Sequence, residues 1–237
     1  MYGWRGRIGV IIPSSNTTME AEFWKMAPEG ISIHVSRVYL STVDIDSLIA
    51  LSREVSRASR ELSSADVDII VFGCTSGSLI GGVEWEKRLR DEIEKSSGVK
   101  SVTTAQAVVE ALRTLNAREI AVATPYIDEI NEREKIFLEN HGFKVLRIKG
   151  LGIVKNTEIG RIPPWTAYRL GVEVSESLDI DALFISCTNF RTIEIIEMLE
   201  SRLGVPVISS NTASMWLALR SIGVRDKIPY GRLLREY

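Results

Sequence analysis

The amino-acid sequence predicts an α/β protein made of two similar halves, each with a four-stranded parallel sheet. Two short stretches resemble one another: residues 68–77 and 181–190 each begin at an aspartate, continue as an apolar run and end in small polar residues. This pattern is typical of a buried parallel strand. In both stretches the strand is followed by Cys-Thr, and Cys74 and Cys187 are the only cysteines in the chain.

The spacing of the two halves supports the same conclusion. Ile8 precedes Cys74 by 66 positions (74 − 8), and Ile120 precedes Cys187 by 67 (187 − 120). After each cysteine the pattern predicts a helix, a short strand, a hydroxyl-rich turn and another helix. An internal repeat of this length predicts two βαβ units with right-handed crossovers.

The first half opens with the apolar strand 7–12, which ends at Pro13. Alternation of apolar and polar residues predicts strands, and apolar residues at helical spacing predict helices. The elements that follow are, in order, helix 19–26, strand 31–40, helix 47–63, strand 67–72, helix 84–94, strand 99–103 and helix 105–115.

The second half repeats this order from a strand, 119–124, that ends at Pro125. Glycines at 142 and 204 indicate helix ends. The predicted elements are helix 128–140, strand 143–148, helix 164–178, strand 182–186, helix 192–203, strand 205–209 and helix 212–222. We expect residues 1–115 with 211–237 to form the first half, and residues 116–210 to form the second.

Composition limits the class of protein. The 237-residue chain is 45% apolar and 25% charged with a formal net charge of −2, and it shows no basic stripe, so we expect no nucleic-acid partner. The apolar run 8–12 is too short for an export signal or a membrane span, which predicts a cytoplasmic protein with no membrane partner. A structural disulfide is disfavoured there. His34 and His141 have no ligands at metal-binding spacing, so no metal is expected.

The two cysteines are the main candidates for chemistry. A single free cysteine is usually a small core residue, but here the same Cys-Thr context occurs at two strand ends. In open α/β sheets ligands bind at this edge. Because helix N-termini follow, the positions favour a thiolate, and we interpret the pair as functional.

Polar side chains surround the cysteines in the sequence. Thr75 and Ser76, with small neighbours, can present hydroxyl and backbone N–H groups to an anion. The phosphate-binding glycine motifs are missing, which favours a carboxylate. At the end of the first strand Ser14 and Asn16 could serve the same purpose, although Asn16 could equally be a plain helix cap. Tyr126 occupies the corresponding place in the second half, where packing is the alternative.

Five motifs together resemble the maleate cis-trans isomerases and arylmalonate decarboxylases of the Asp/Glu racemase superfamily. They are Pro13-Ser-Ser-Asn-Thr-Thr-Met-Glu20, Gly73-Cys-Thr-Ser-Gly77, Thr124-Pro-Tyr126, Asn156 with Ile159-Gly-Arg-Ile162, and Cys187-Thr-Asn189. The resemblance implies two Rossmann-like halves related by a pseudo-two-fold axis, with the active site in the cleft between them. It also implies that Cys74 is the nucleophile and Cys187 its partner. The expected substrate-binding residues are Ser14, Asn16, Thr75, Ser76, Tyr126, Asn156 and Thr188.

These expectations favour a cofactor-independent isomerase that converts maleate to fumarate. Cys74 would add to the double bond, the resulting single bond would rotate, and elimination would follow. No metal and no organic cofactor are expected; the partners expected are a small dicarboxylate substrate and further copies of the chain. Three alternatives stay open: a two-cysteine racemase of aspartate, glutamate or a hydantoin, a malonate-type decarboxylase, and a carboxylate-binding protein without catalysis.

Overall fold

A computed structural model describes residues 2–237, and it contains two four-stranded parallel sheets. Their strand orders are equivalent, β2-β1-β3-β4 and β6-β5-β7-β8, so the predicted fold of two similar halves is confirmed. The strands are β1 (Gly6–Pro13), β2 (Ile31–Val38), β3 (Ile69–Phe72), β4 (Ser101–Thr103), β5 (Glu119–Thr124), β6 (Lys144–Gly150), β7 (Ala182–Ile185) and β8 (Val207–Ser209).

Helices connect and cover the strands. Within the described residues, none is long and apolar enough to cross a bilayer. The helices are α1 (Met19–Met26), α2 (Ile45–Ser52), α3 (Val55–Ser63), α4 (Thr75–Leu79), α5 (Val83–Ser97), α6 (Thr104–Thr114), α7 (Asp128–Asn140), α8 (Asn156–Ile159), α9 (Pro164–Ser175), α10 (Ile196–Leu203), α11 (Ser210–Ser221) and α12 (Arg232–Glu236).

Two predicted helices differ from the structure. The helix predicted over 47–63 is two helices, α2 and α3, with a turn at residues 53–54 that contains neither glycine nor proline and therefore left no signal. The helix predicted from residue 192 begins only at Ile196. Its first residues form a turn because the distant Glu22 carboxyl group accepts the backbone N–H groups of Thr192 and Ile193.

The last helix of each half crosses toward the other. α11 leaves β8 of the second sheet and packs on α6 and against β3 and β4 of the first sheet. The C-terminal tail was expected to pack on the first half. Asp226 does form an ion pair there with Arg5, but α12 lies against β8 of the second sheet. Segment 211–237 therefore contacts both halves.

This arrangement positions the site. β3 and β7 are fully buried inner strands at equivalent places in the two sheets. Cys74 and Cys187 follow them at the carboxyl edge, where parallel sheets bind ligands. The crossing of α6 and α11 brings the two edges into one buried region.

Candidate active site

The first cysteine stands at the start of a short helix. β3 ends at Phe72, and Cys74 is the N-cap of α4 with an extended backbone. A Cβ atom on Gly77 would lie 2.9 Å from the Cys74 sulfur, so a residue without a side chain is required for the Gly77 N–H to approach the thiol. The Ser76 hydroxyl lies 4.0 Å from the same sulfur. This loop offers donors to a charge that forms on Cys74.

The second cysteine has a different local structure. No helix follows β7 directly, and Cys187 has a φ of 90°, in the left-handed region that disfavours residues other than glycine. Such a conformation costs on the order of 1–3 kcal/mol and persists only where neighbours enforce it. The Ser210 hydroxyl accepts the Cys187 N–H at 3.0 Å, and the Asn189 N–H donates to the Cys187 sulfur at 3.4 Å.

Hydrogen bonds between the halves fix the two cysteine loops against each other. Thr75, next to Cys74, donates its hydroxyl to Ser210 of the second half at 2.8 Å. Thr188, next to Cys187, donates to the carbonyl of Gly73 at 3.1 Å and accepts from the Asn16 amide at 3.0 Å. Thr75, Thr188 and Asn16 are therefore brought together with the thiols, as the sequence predicts.

Burial controls the protonation of the site. Cys74 and Cys187 are 4% and 5% exposed, and burial raises their pKa values to about 11 and about 12. The Tyr126 hydroxyl lowers the pKa of Cys187, and an ionised Cys74 would raise it, so the three groups share one site. Burial also raises the Tyr126 pKa well above its ordinary value. The expectation that helix N-termini would favour a thiolate is corrected, because desolvation outweighs the nearby donors.

Asn16 binds the N-terminal end of α1, and its part in ligand binding stays a prediction. Its side-chain oxygen accepts the N–H groups of Thr18 and Met19, each at 3.0 Å, and so caps α1. Its amide N–H₂ group points across the interface to Thr188. Because it is 1% exposed, the cap holds this donor rigidly beside the cysteine loops.

Ser14 and Asn156 lie farther from the thiols. Ser14 is exposed, and its hydroxyl accepts the Leu40 N–H at 3.1 Å at the rim of the first half. The Asn156 side-chain amide donates to the Ser15 hydroxyl at 2.8 Å, while the backbone carbonyl of Asn156 accepts from the Asn189 amide at 2.8 Å. The structure shows neither residue in contact with a thiol, so substrate binding by them stays a prediction.

The segment 150–156 contacts both halves. Leu151 and Ile153 donate backbone hydrogen bonds to Thr124 and Pro125 of the second half. At its other end, the carbonyl of Val154 accepts from Val43, and the Asn156 N–H donates to Ser41, both in the first half. The segment therefore bridges the two halves through backbone hydrogen bonds.

Four further residues are functional candidates that the sequence did not predict. Asn189 joins the halves, since its side-chain oxygen accepts the Thr17 N–H at 2.9 Å. Ser210 supports both cysteine loops. Glu22 and Glu134 are buried carboxyl groups on the first helix of each half. The glutamates did carry a signal, because the interval from Ile8 to Ile120 also separates Glu22 from Glu134.

The structure defines a class of protein: two equivalent α/β halves with a pair of free thiols buried where they meet. A family model described as arylmalonate decarboxylase matches residues 8–234, and the chain belongs to this family. The resemblance predicted from the motifs is thereby confirmed.

Individual relatives span the whole chain. A maleate isomerase of Nocardia farcinica is 31% identical and an arylmalonate decarboxylase of Bordetella bronchiseptica 30% identical, each over 97% of this chain and 96% of the relative. A solved mutant of the N. farcinica maleate cis-trans isomerase with a covalently bound succinylcysteine intermediate has a TM-score of 0.91 at 30% identity, covering 98% of this chain and 99% of that one. A liganded arylmalonate decarboxylase double mutant has a TM-score of 0.92 at 30% identity, covering 98% and 100%.

Proposed function

We propose that this protein is a cofactor-independent isomerase that converts maleate to fumarate. The observation that carries the proposal is the pair of thiols buried at one interface, with Cys74 at a helix N-cap. The groups that contact the sulfur atoms are neutral: Ser76, Gly77, Tyr126 and Asn189. Neutral donors can bind carboxylates without burying a further charge.

Cys74 first gives up its proton to water or to a carboxylate of the entering substrate, and the resulting thiolate, which regains a proton after product release, begins the reaction. Its electron pair forms a C–S bond to one alkene carbon of maleate, and the π electrons move to the other carbon and into the adjacent carboxylate. The former double bond is now single and can rotate. When the same electrons return and expel the thiolate, the product is fumarate, and no atom is gained or lost.

The intermediate needs hydrogen-bond donors at the carboxylate that receives the charge. The Ser76 hydroxyl and the N–H groups at the start of α4 are available on the Cys74 side, and the Tyr126 hydroxyl is available on the Cys187 side. A donor fixed in a site without water is typically worth about 3 kcal/mol at such a centre. The high pKa of Tyr126 keeps it a neutral donor.

Cys187 supplies a proton to the intermediate or stabilises it. Negative charge on Glu134 or on an ionised Cys74 raises the pKa of Cys187, so it is the thiol that keeps its proton while Cys74 attacks. A proton delivered to the carbanion carbon would give a succinyl thioether, and its removal would restore the carbanion before elimination. The succinylcysteine intermediate in the related isomerase supports a covalent route of this type.

The decarboxylase relatives provide the main alternative. One solved variant has a cysteine introduced in place of a glycine and a serine in place of a cysteine. By the family resemblance, the introduced cysteine corresponds to Cys74, which this chain has naturally. The presence of both thiols therefore favours addition to a double bond over loss of carbon dioxide.

Proton NMR in heavy water tests the proposal. Purified protein is incubated in parallel with maleate, aspartate, a hydantoin and an arylmalonate. Fumarate formed from maleate supports isomerisation, and deuterium in its vinyl positions reports protonation of the intermediate by an exchangeable group such as Cys187. Deuterium entering the α-position of aspartate or hydantoin indicates a racemase, loss of a carboxylate indicates a decarboxylase, and no change in any tube indicates a binding protein.

The proposal includes a small dicarboxylate substrate, a cytoplasmic location and a homo-oligomer. The apolar side of α6 packs on α11 within the chain. Light scattering of the purified protein measures the number of copies directly.

A further inference from the structure

The two halves carry buried glutamates at equivalent positions. Glu22 lies on α1 and Glu134 on α7, which follow the equivalent strands β1 and β5. Glu22 is 3% exposed and Glu134 is fully buried. Buried carboxyl groups are rare unless they are paired or hydrogen-bonded, so each requires an explanation.

Glu22 is explained by its hydrogen bonds. One oxygen accepts the Thr192 N–H at 2.8 Å and the other accepts from the Asn211 amide at 2.7 Å. The Asn211 amide also donates to the carbonyl of Thr188. Glu22 therefore joins α1 to the turn before α10, and its role is to hold the halves together.

Glu134 has far fewer partners. One oxygen accepts the Ser186 hydroxyl at 2.6 Å. The other, Oε2, is buried and has no hydrogen-bond partner among residues 2–237. Ser186 immediately precedes Cys187, so the only partner of Glu134 belongs to the strained cysteine loop. Stability alone does not account for an unpartnered carboxyl oxygen next to a reactive site.

Glu134 contacts the Cys187 side of the site through its hydrogen bond with Ser186. The titratable groups that its charge affects are Tyr126 and Cys187; the influences on Cys74 are burial, Gly77 and Ser76. The neighbours of Glu134 around an adjoining narrow void carry no charge and leave no room for a water molecule: Thr75, Leu79, Ala105, Val108, Phe137, Leu138 and Phe184.

We propose that Glu134, held by Ser186, is a positioning residue that keeps the proton on Cys187 and so determines which of the two equivalent thiols attacks the substrate. A negative charge on Glu134 opposes ionisation of Cys187, because the side-chain hydrogen bond of this carboxyl group goes to Ser186 in the Cys187 loop and, among residues 2–237, none goes to the Cys74 loop. Burial raises the pKa of Glu134 to about 7, so this charge develops in the neutral range. The choice of the attacking thiol rests on the proposed isomerase function. The electrostatic effect of Glu134 on Cys187 does not depend on that function.

Alkylation of a single thiol measures the effect without any turnover. In a Cys74→Ala background only Cys187 reacts with iodoacetamide, and its rate is compared with and without Glu134→Gln at pH 6 and pH 9. At pH 6 the parent carboxyl is protonated, so the ratio of the two rates should be near one. At pH 9 the parent carries the charge, and the variant should react about threefold faster or more.

The pH dependence of this ratio of alkylation rates distinguishes an electrostatic effect of Glu134 from a loosening of the packing around Cys187. A variant that merely opens the site more often gives the same ratio at both pH values, and a ratio that does not rise from pH 6 to pH 9 overturns the proposal. Glu132→Gln, exposed on the same helix, is the matched control and should leave the ratio near one throughout.

A second variant covers the case in which Glu134→Gln does not fold. Ser186→Ala removes the single donor to the Glu134 carboxylate, so the carboxyl group stays neutral to higher pH. At about pH 7.5, where the parent carboxyl group is mostly charged, Cys187 alkylation should therefore accelerate, and a rate equal to that of the parent at this pH contradicts the proposal. If alkylation behaves as expected but maleate is not converted by the unaltered protein, the isomerase function fails while the Glu134 effect stands.

Discussion

The two cysteine loops occupy equivalent places in equivalent sheets, yet they offer their thiols different environments. Cys74 caps a helix in an ordinary extended conformation and faces the Gly77 N–H and the Ser76 hydroxyl. Cys187 has a positive φ, no helix directly after it, and the Tyr126 and Glu134 groups nearby. The repeat thus supplies two thiols, and the divergence of their surroundings gives each a separate role.

The difference also gives the two thiols different tendencies to lose their protons. Burial raises both thiol pKa values, so the resting site holds two protons. The Gly77 N–H and the Ser76 hydroxyl offset part of the burial that raises the Cys74 pKa, whereas nearby groups that can become negative raise the Cys187 pKa further. A symmetric pair would have no such preference.

Replacing Cys74 should have the largest effect. Cys74→Ala removes the nucleophile, and turnover of maleate should fall by more than about a thousandfold. The measurement is fumarate formation by NMR, with circular dichroism to verify folding. Residual turnover within tenfold of the parent rate would remove Cys74 from the covalent step.

Replacing Cys187 should have a smaller effect. Cys187→Ala removes a proton donor, and loss of general acid catalysis lowers kcat by about a hundredfold. Cys187→Ser keeps a hydroxyl and should retain more activity than the alanine variant. Equal losses from Cys74→Ala and Cys187→Ala would mean that the two thiols act as one unit rather than in separate roles.

The pH dependence of stability measures the cost of the buried Glu134. Its pKa is raised from 4.5 to about 7, so the folded state binds more protons than the unfolded state between these values, and stability falls as the pH rises. Relative to the parent, Glu134→Gln should gain up to about 3 kcal/mol in unfolding free energy between pH 4 and pH 8. Urea unfolding at both pH values tests this, with Glu132→Gln showing no gain.

Gly77 should show the smallest of these effects. Its Cβ in Gly77→Ala would lie 2.9 Å from the Cys74 sulfur, so the sulfur must move from the Gly77 N–H. We expect kcat/KM to fall about tenfold while the thermal midpoint changes little, because the added methyl group lies at the site. Gly9→Ala adds a methyl group within the β1 core instead and is the control that should affect stability more than activity. An unchanged kcat/KM in Gly77→Ala would show that this N–H is not needed.

The sequence predicted the parts of the molecule that local patterns encode. Apolar runs and the Cys-Thr repeat were sufficient to predict both sheets and the placement of Cys74 and Cys187. The late start of α10 was missed because it depends on Glu22, which lies far away in the sequence. The raised thiol pKa values were missed for a similar reason, since burial is a property of the assembled halves. Glu134 acts through a contact with Ser186 that no local pattern reports.

The most direct test is the mass of the protein after incubation with maleate in two single variants. In Cys187→Ser the attacking thiol remains and the carbanion can still take a proton from water, but the group that would remove this proton again is weakened, so an adduct equal to one maleic acid should accumulate on Cys74. In Cys74→Ser the remaining thiol retains its proton, and no adduct should form. An adduct on Cys187 in the second variant would contradict the assignment of the nucleophile to the first half.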